Sequence, residues 1–180
     1  MAIRRVVTGH SPEGKAIVAS DEQVETITLE LLPGFEFQRV WGSDAKPTFP
    51  DNGSKPHAPA YFPPNNGFRF GTFTVPPDQA LDLSTIDVMA ALGAMEHTLP
   101  GMAAHMEIDN PGMHTTATID YEYIVSGRVL LELDDGVTVE VGPGDTVVQN
   151  GTRHSWRNPF AEPCTMVVVL VGANHSSVTH

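Results

Sequence analysis

Apolar and polar residues alternate in short runs along most of this chain. After Met113 the runs read YEYIVSG, RVLLELDDG, VTVEVGPGD, TVVQNG and CTMVVVLVG, and most of them end at glycine or aspartate. A period of two residues is typical of β-strands, and small or polar turn residues mark the connections between them. Similar runs occupy residues 4–19, 24–32, 35–42 and 68–75. The pattern predicts an all-β antiparallel fold, either a closed barrel or a two-sheet jelly roll.

Two segments interrupt the alternation. Residues 43–67, the Pro-rich loop, are predicted to cross the surface, because dense proline disfavours both helix and central strand. The best helix candidate runs from Ser84 to about Glu96, with Ser84 as N-cap and Asp87 at the third helical position. The helix is expected to pack on the body of the fold through an apolar face formed by Met89, Leu92 and Met95.

The length of 180 residues predicts one structural domain, which we divide into four segments. Residues 1–82 hold N-terminal strands and the Pro-rich loop, and are expected to extend the barrel. Residues 83–110 hold the helix and a connection, residues 111–172 form the core barrel, and residues 173–180 form a polar tail.

Composition narrows the possible partners. The formal net charge of −12 argues against a nucleic-acid or anionic-membrane partner, because both would repel the chain. No apolar run is long enough to span a membrane or to form the core of a signal peptide. The single cysteine, Cys164, lies in an apolar strand pattern and is expected to be a buried, inert thiol. We therefore expect a cytoplasmic protein whose partner is a small molecule.

Residues 111–158 carry the most specific signal. His114 is followed by Asp120 and, after six further residues, by Gly127; the turn Pro143-Gly144-Asp145 precedes Gly151 and His154, and Asn158 closes the stretch. This spacing resembles the two motifs of the cupin superfamily. The resemblance implies a cupin-type antiparallel β-barrel or jelly roll with N-terminal strand extensions and one helix. It also implies a site inside the barrel.

The chain departs from the usual metal-binding pattern of that family, which uses three histidines and one glutamate. Here Thr116 stands at the second histidine position, and Asp120 stands at the glutamate position. This alignment keeps His114 as the first ligand with a three-residue spacer. A four-residue spacer would instead place Met113 and Thr115 at the two histidine positions.

Positions 114, 116, 118 and 120 share parity, so a continuous strand would project them to one face. His114, Asp120 and His154 are then the expected ligands of a divalent metal, and Thr116 is expected to orient water or substrate. This ligand set suits Fe(II) best, with Mn, Ni, Co or Zn as alternatives. The opposing hypothesis is a degenerate cupin pocket that holds no metal.

Without a metal, the same stretch still offers acid–base chemistry. Asp120 and Glu122 are two residues apart and would face one barrel interior, where apolar walls raise the pKa of a carboxyl group. His114 or His154 could then move a proton. The competing interpretation places Glu122 on the outer face or in an ion pair with Arg128.

Thr118, Gln149 and Trp156 are the expected substrate-pocket residues. The resemblance implies several chemistries: oxygenation, decarboxylation, isomerisation, dehydration and cyclisation. Among them we favour a metal-dependent oxidoreductase or lyase, of oxygenase or decarboxylase type, acting on a small carbonyl or phenolic compound. The alternatives are a metal-free isomerase, dehydratase or cyclase, and a binding protein without turnover. A homodimer is expected, because pairing across an interface would protect exposed strand edges.

Overall fold

The computed structural model describes residues 2–79 and 85–178. Within these residues the chain forms eleven strands and one α-helix. The elements are β1 Ile3–His10, β2 Ala16–Val24, β3 Ile27–Leu29, β4 Leu32–Ser43, β5 Phe68–Val75, α1 Val88–Thr98, β6 Thr118–Ser126, β7 Val129–Glu132, β8 Thr138–Val141, β9 Thr146–Asn150, β10 Ser155–Arg157 and β11 Cys164–Gly172.

Two antiparallel sheets face each other and enclose the main core. The larger sheet has the strand order β3-β4-β5-β11-β6-β9, and the smaller has the order β10-β7-β8. Their inner faces meet in one cluster of buried side chains: Val75, Ile124, Val129, Leu131, Val141, Trp156, Cys164 and Met166. Strand β11 alternates buried and partly exposed residues along its whole length, as its period-two sequence predicts. The predicted all-β jelly roll is confirmed.

The N-terminal strands divide into two groups. Strands β3, β4 and β5 belong to the six-stranded sheet, whereas β1 and β2 form a two-stranded sheet of their own. The division of the chain into four segments remains a prediction.

The helix begins later than the sequence predicts. Helix α1 starts at Val88, and the side chain of its N-cap, Asp87, accepts a hydrogen bond from the backbone N–H of Ala90 at 3.1 Å. Asp87 is therefore the cap and not the third helical residue, and the predicted cap, Ser84, lies outside the described residues. The buried face also differs from the predicted one.

The buried residues of α1 are Ala91 and Met95, followed by Leu99 at the C-cap. These positions are four residues apart and so lie on one side of the helix. Of the predicted apolar face only Met95 is buried, because Met89 is 78% exposed and Leu92 is 37% exposed. The helix packs through this narrow stripe on Leu29, Phe37 and Met102.

The asparagine that ends the second motif ties two strand ends together. Asn158 is fully buried, and its amide donates hydrogen bonds to the carbonyls of Val75 and Glu162 at 3.1 and 2.9 Å. Its side-chain oxygen accepts from the backbone N–H of Phe160 at 3.1 Å. The end of β5 is thereby fixed against the turn that leads into β11.

No helix among residues 2–79 and 85–178 combines the length and the apolar character needed to cross a membrane.

Candidate functional site

The two motif histidines meet in the folded chain. His114 and His154 form an isolated antiparallel bridge, with N–H···O distances of 2.9 and 3.0 Å in the two directions. Since directly paired antiparallel residues project to the same face, their imidazole rings lie side by side, with centroids 4.2 Å apart. Residues forty positions apart in the sequence thus form one histidine pair.

Backbone carbonyls orient both rings. The Nδ1 atom of His114 lies 3.0 Å from the carbonyl oxygen of Gly112, and Nδ1 of His154 lies 2.9 Å from that of Thr152. A carbonyl can only accept, so each neutral ring carries its proton on Nδ1 and keeps the lone pair on Nε2. Burial, followed by the charge of His114, lowers the pKa of His154 to about 3. Burial also lowers the pKa of His114. Both rings are therefore neutral at neutral pH.

Strand β6 supplies two buried carboxyl groups. Its burial alternates so that Thr118, Asp120, Glu122 and Ile124 face inward, while Tyr121 and Tyr123 are each 48% exposed on the outer face. The inward parity predicted for Asp120 and Glu122 is thus observed. The alternative for Glu122 is wrong, because Glu122 is only 6% exposed and Arg128 pairs with Glu140.

Both carboxyl groups bind their protons more tightly than usual. Burial raises the pKa of Asp120 to about 6, although the Thr118 hydroxyl acts in the opposite direction. Burial, with the charge of Asp120 as a second cause, raises the pKa of Glu122 to about 8. Asp120 Oδ1 and Glu122 Oε2 have no hydrogen-bond partner among the described residues.

The histidine pair and the two carboxyl groups line one cavity of about 100 Å³ inside the barrel. Its wall is otherwise largely aromatic and aliphatic, and includes Phe37, Tyr61, Phe62, Phe73, Met102, Met106 and Trp156. A cavity with apolar walls and a few convergent polar groups is the usual form of a small-molecule site. The arrangement can hold a small organic molecule against two acids and two neutral imidazoles.

The remaining predicted site residues lie near this cavity in different roles. Trp156 lines it and also belongs to the main core. Thr116 and Thr118 are almost fully buried, with their hydroxyl oxygens 2.7 Å apart. Gln149 pairs with Asp120 across β9 and β6, and its amide donates to Thr152. Neither threonine nor Gln149 is among the residues that line the cavity, so their roles toward a substrate remain predictions.

Much of the cavity wall comes from residues that the sequence did not single out. Tyr61 and Phe62 belong to the Pro-rich loop, which was predicted to cross the surface. The rings of Phe37 and Tyr61 pack edge to face at 5.8 Å, and those of Phe62 and His105 do so at 4.8 Å. The only sequence signal was an aromatic pair inside a proline-rich stretch.

The phenol of Tyr61 is a further polar group at the cavity. Burial raises the pKa of Tyr61 far above its ordinary value, and the nearby charges of Asp120 and Glu122 act in the same direction. The phenol therefore stays protonated and can donate a hydrogen bond into the cavity.

The orientation of the two histidine rings suits a divalent metal. The backbone carbonyls fix the tautomers, so that both Nε2 lone pairs remain available as ligands. A third ligand is not brought beside them: residues 2–79 and 85–178 contain no group of three or more His, Cys, Asp or Glu side chains arranged to hold a metal ion. The predicted set of His114, Asp120 and His154 therefore remains a proposal.

Comparison with known proteins agrees with this architecture. The family model described as "Cupin domain" matches residues 106–170, which span β6 to β11 and the histidine pair. Residues 106–170 are therefore a cupin domain. Within this cupin, the matched segment supplies His114, Asp120, Glu122 and His154.

Relatives of this cupin include fungal proteins. Oryzines biosynthesis cluster protein J from Aspergillus oryzae is 36% identical over 66 residues, covering 34% of this chain and 37% of that protein. Phomopsin biosynthesis cluster protein C' from Diaporthe leptostromiformis is 41% identical over 66 residues, covering 34% of this chain and 35% of that protein. The match thus spans about a third of the length of these curated relatives.

Solved structures similar to this cupin include the polyketide cyclase RemF from Streptomyces resistomycificus, with 16% identity and a TM-score of 0.45 over 86% of this chain and 82% of that one. A Cupin 2 conserved barrel domain protein from Salinispora arenicola has 20% identity and a TM-score of 0.43 over 81% of this chain and 82% of that one.

Proposed function

We propose that this cupin is an enzyme that carries out acid–base chemistry on a small, largely apolar organic molecule in the barrel cavity. The observation that carries the proposal is the pair of buried carboxyl oxygens, Asp120 Oδ1 and Glu122 Oε2, which lack hydrogen-bond partners among the described residues. Buried polar atoms are nearly always satisfied, and an exception calls for an explanation such as a catalytic role. A substrate with a hydroxyl or enolisable carbonyl group would supply the missing partners.

The two carboxyl groups suit opposite roles. With the pKa of Asp120 raised to about 6 and that of Glu122 raised to about 8, Asp120 is largely ionised at neutral pH while Glu122 is largely protonated. Such a pair offers a base and an acid in one pocket. Nε2 of His154 can accept a hydrogen bond from the substrate, and the Tyr61 phenol can donate one to a substrate oxygen.

The cavity wall defines the substrate class. Phe37, Phe62, Phe73 and Trp156 favour a flat, apolar molecule, and the carboxyl groups favour a carbonyl or phenolic function on it. The relatives whose names refer to oryzines and phomopsin biosynthesis clusters support a role in small-molecule chemistry. Because the match covers only part of those proteins, the assignment rests mainly on the cavity.

Metal-assisted chemistry at the same site is the second candidate, and the orientation of the two imidazoles favours it. His114 and His154 would hold the ion, and Asp120, which lines the same cavity but is not arranged beside them, would have to move to become the third ligand. A divalent cation bound there, Fe(II) first, would act as a Lewis acid toward a substrate oxygen. Asp120 would then be a ligand, and Glu122 would remain to transfer protons.

Turnover of small carbonyl and phenolic compounds tests the proposal. We expect Asp120→Asn to lower kcat by about 10²–10⁴-fold, which is the usual contribution of a positioned acid or base. Chelation should leave the wild-type rate unchanged under the acid–base mechanism. The matched control is Glu140→Gln, which changes an exposed carboxyl group on the smaller sheet and should retain the wild-type rate.

The other outcomes discriminate between the candidates. Activity that chelation abolishes and Fe(II) restores, together with metal loss in the His114→Ala/His154→Ala double variant, would support the metal-assisted candidate instead. A compound that raises Tm without turnover, equally in wild type and Asp120→Asn, would indicate a binding protein and contradict an enzyme.

We also propose that two copies associate through the outer face of the six-stranded sheet. Phe70, Val169, Tyr121 and Val148 are register neighbours across four strands and form one uncharged apolar row. Phe70, Tyr121 and Val148 are 39%, 48% and 55% exposed. Because the chain carries a net charge of −12, this row is a surface on which two copies can approach without repulsion.

Sedimentation analysis tests the association. We expect the wild type to sediment as a dimer and Tyr121→Glu to shift toward monomer, because two like charges would then be buried at the interface. Val139→Glu places the same charge at an exposed apolar position of the smaller sheet and should remain dimeric. A monomeric wild type would refute the dimer.

A further inference from the structure

A second cavity, of about 380 Å³, lies outside the barrel between the end of β2, strand β4 and the Pro-rich loop. Four of the ten lysine and arginine residues of the chain line it: Arg5, Arg39, Lys55 and Arg69. Glu22 and Glu25 are the acidic residues in its wall. In a chain with a net charge of −12, this is an unusual concentration of positive charge.

Arg39 lacks a carboxylate partner among the described residues. Its guanidinium donates to the carbonyls of Ala58, Pro59 and Ala60 at 2.6–3.1 Å, which uses three of its five N–H donors. Burial lowers the pKa of Arg39 and the charge of Arg69 lowers it further, whereas the charge of Asp44, which is already paired with Arg69, acts in the opposite direction. A half-buried cation beside another cation is ordinarily stabilised by a nearby anion.

The other two arginines are held in place and retain free donors. Arg69 is bound to Asp44 at 2.6 Å and to the carbonyls of Ala60 and Phe68, and its side chain is only 8% exposed. Arg5 pairs with Glu22 and donates to the carbonyl of Val40 at 2.8 Å. Its guanidinium lies over the ring of Trp41, at 5.4 Å from the centroid.

Nε of Arg5 is buried and has no hydrogen-bond partner among residues 2–79 and 85–178. Fixed guanidinium groups with N–H donors to spare are suited to carboxylate and phosphate oxygens, which they bind through planar, charge-assisted hydrogen bonds. The cavity also falls within the size range of small-molecule sites.

We propose that this second cavity binds an oxyanion, the carboxylate or phosphate group of a small molecule, through Arg5, Arg39 and Arg69, with Lys55 at its rim. The N–H donors that Arg39 and Arg69 leave unused, and the lack of a carboxylate hydrogen-bonded to Arg39 among the described residues, are the features that an oxyanion would complete. The site is separate from the barrel cavity and does not depend on the reaction performed there.

Calorimetric titration of the full chain with inorganic phosphate, and separately with sodium acetate, tests this proposal in a chloride buffer. We expect saturable binding of at least one of the two anions. Stronger binding of phosphate would identify a phosphate-bearing ligand, and stronger binding of acetate a carboxylate-bearing one; either result supports the site.

Two rim variants should change Kd in opposite directions. Lys55→Gln removes an exposed cation and should weaken binding about two- to fivefold, whereas Glu25→Gln removes an exposed acid and should tighten it by a similar factor. Lys15→Gln, an exposed lysine on the β1–β2 turn, should leave Kd unchanged. None of the three contributes to the main core, so all should fold.

Arg39→Gln should remove most of the binding, although it also releases the loop carbonyls, so the rim variants decide the outcome. Absence of saturable binding of both anions to the wild type would overturn the proposal. So would a Kd that does not change in either Lys55→Gln or Glu25→Gln.

Discussion

Glu122→Gln should stabilise the metal-free protein at about pH 9 by roughly 3–5 kcal/mol, while it removes most of the proposed activity. The pKa of Glu122 is raised by burial from 4.5 to about 8. Above that pH the folded wild type must hold an ionised carboxylate in an apolar pocket. Glutamine has nearly the same shape and never ionises.

The sign of the pH dependence follows from linkage. The folded state binds the Glu122 proton more tightly than the unfolded state does, so below about pH 4.5 both states are protonated and Glu122 makes no difference. As the pH rises from about 4.5 to about 8, the unfolded state ionises first and the wild type loses stability. Above about pH 8 the loss is complete.

Urea unfolding at about pH 5 and about pH 9, with a chelator present, measures this effect. The gain in Glu122→Gln should be several times larger at the higher pH, and the exposed-site control Glu30→Gln should show no such difference. If wild type and Glu122→Gln lost equal free energy between the two pH values, the Glu122 carboxyl group would not be a buried acid of raised pKa.

The expected stability gain in Glu122→Gln bears on function. Glu122 is a buried acid that destabilises the folded state, and one of its oxygens has no hydrogen-bond partner among the described residues. A purely structural role does not explain such a residue. An apolar residue or an amide would fold better at this position. Glu122 is therefore a stronger candidate for proton transfer than its place outside the family's metal pattern suggests.

The sequence predicts the strand framework because alternation is a local property. Strands β6 to β11 follow short polar–apolar runs separated by turn residues, and the parity of β6 correctly places Asp120 and Glu122 inward. The meeting of His114 and His154 follows from motif spacing, since a fixed number of residues and turns separates two strands that lie side by side.

The aromatic residues that line the barrel cavity could not be predicted from alternation. Tyr61 and Phe62 lie in a segment without periodicity, and distant contacts fix their positions. Arg39 and Arg69 bind the carbonyls of residues 58–60, and the backbone N–H of Tyr61 donates to the carbonyl of Pro100 at 2.8 Å. Such contacts are visible only once the chain has folded.

The predicted metal ligands show a different limit of prediction from sequence. Strand parity places positions 114 to 120 on one face only if the strand is continuous, but β6 begins at Thr118 and His114 lies in an isolated bridge before it. The strand geometry that would carry Asp120 beside the histidine pair is therefore interrupted. A motif match does not reveal this interruption.

Gly127→Ala should destabilise the protein by roughly 3 kcal/mol or more. Gly127, the last residue of the first motif, has a φ of +73°, where an L-residue is strained. A Cβ atom there would also lie 2.2 Å from the carbonyl oxygen of Pro163 and 2.8 Å from Cα of Cys164. Both are backbone atoms at the start of β11, which is hydrogen-bonded to β5 and β6 and cannot easily move.

Gly144→Ala is the matched control, because it separates strain from collision. Gly144 belongs to the second motif and has a φ of +95°, but its Cβ would meet no atom within 4 Å. Its alanine variant should therefore show the backbone cost alone, about 1–2 kcal/mol. Urea unfolding of both variants measures the difference, and failure of Gly127→Ala alone to fold would show the same effect in a stronger form. If both variants lost the same free energy of unfolding, Gly127 would be required only for its positive φ angle. The close approach to β11 would then not restrict which residue can occupy this position.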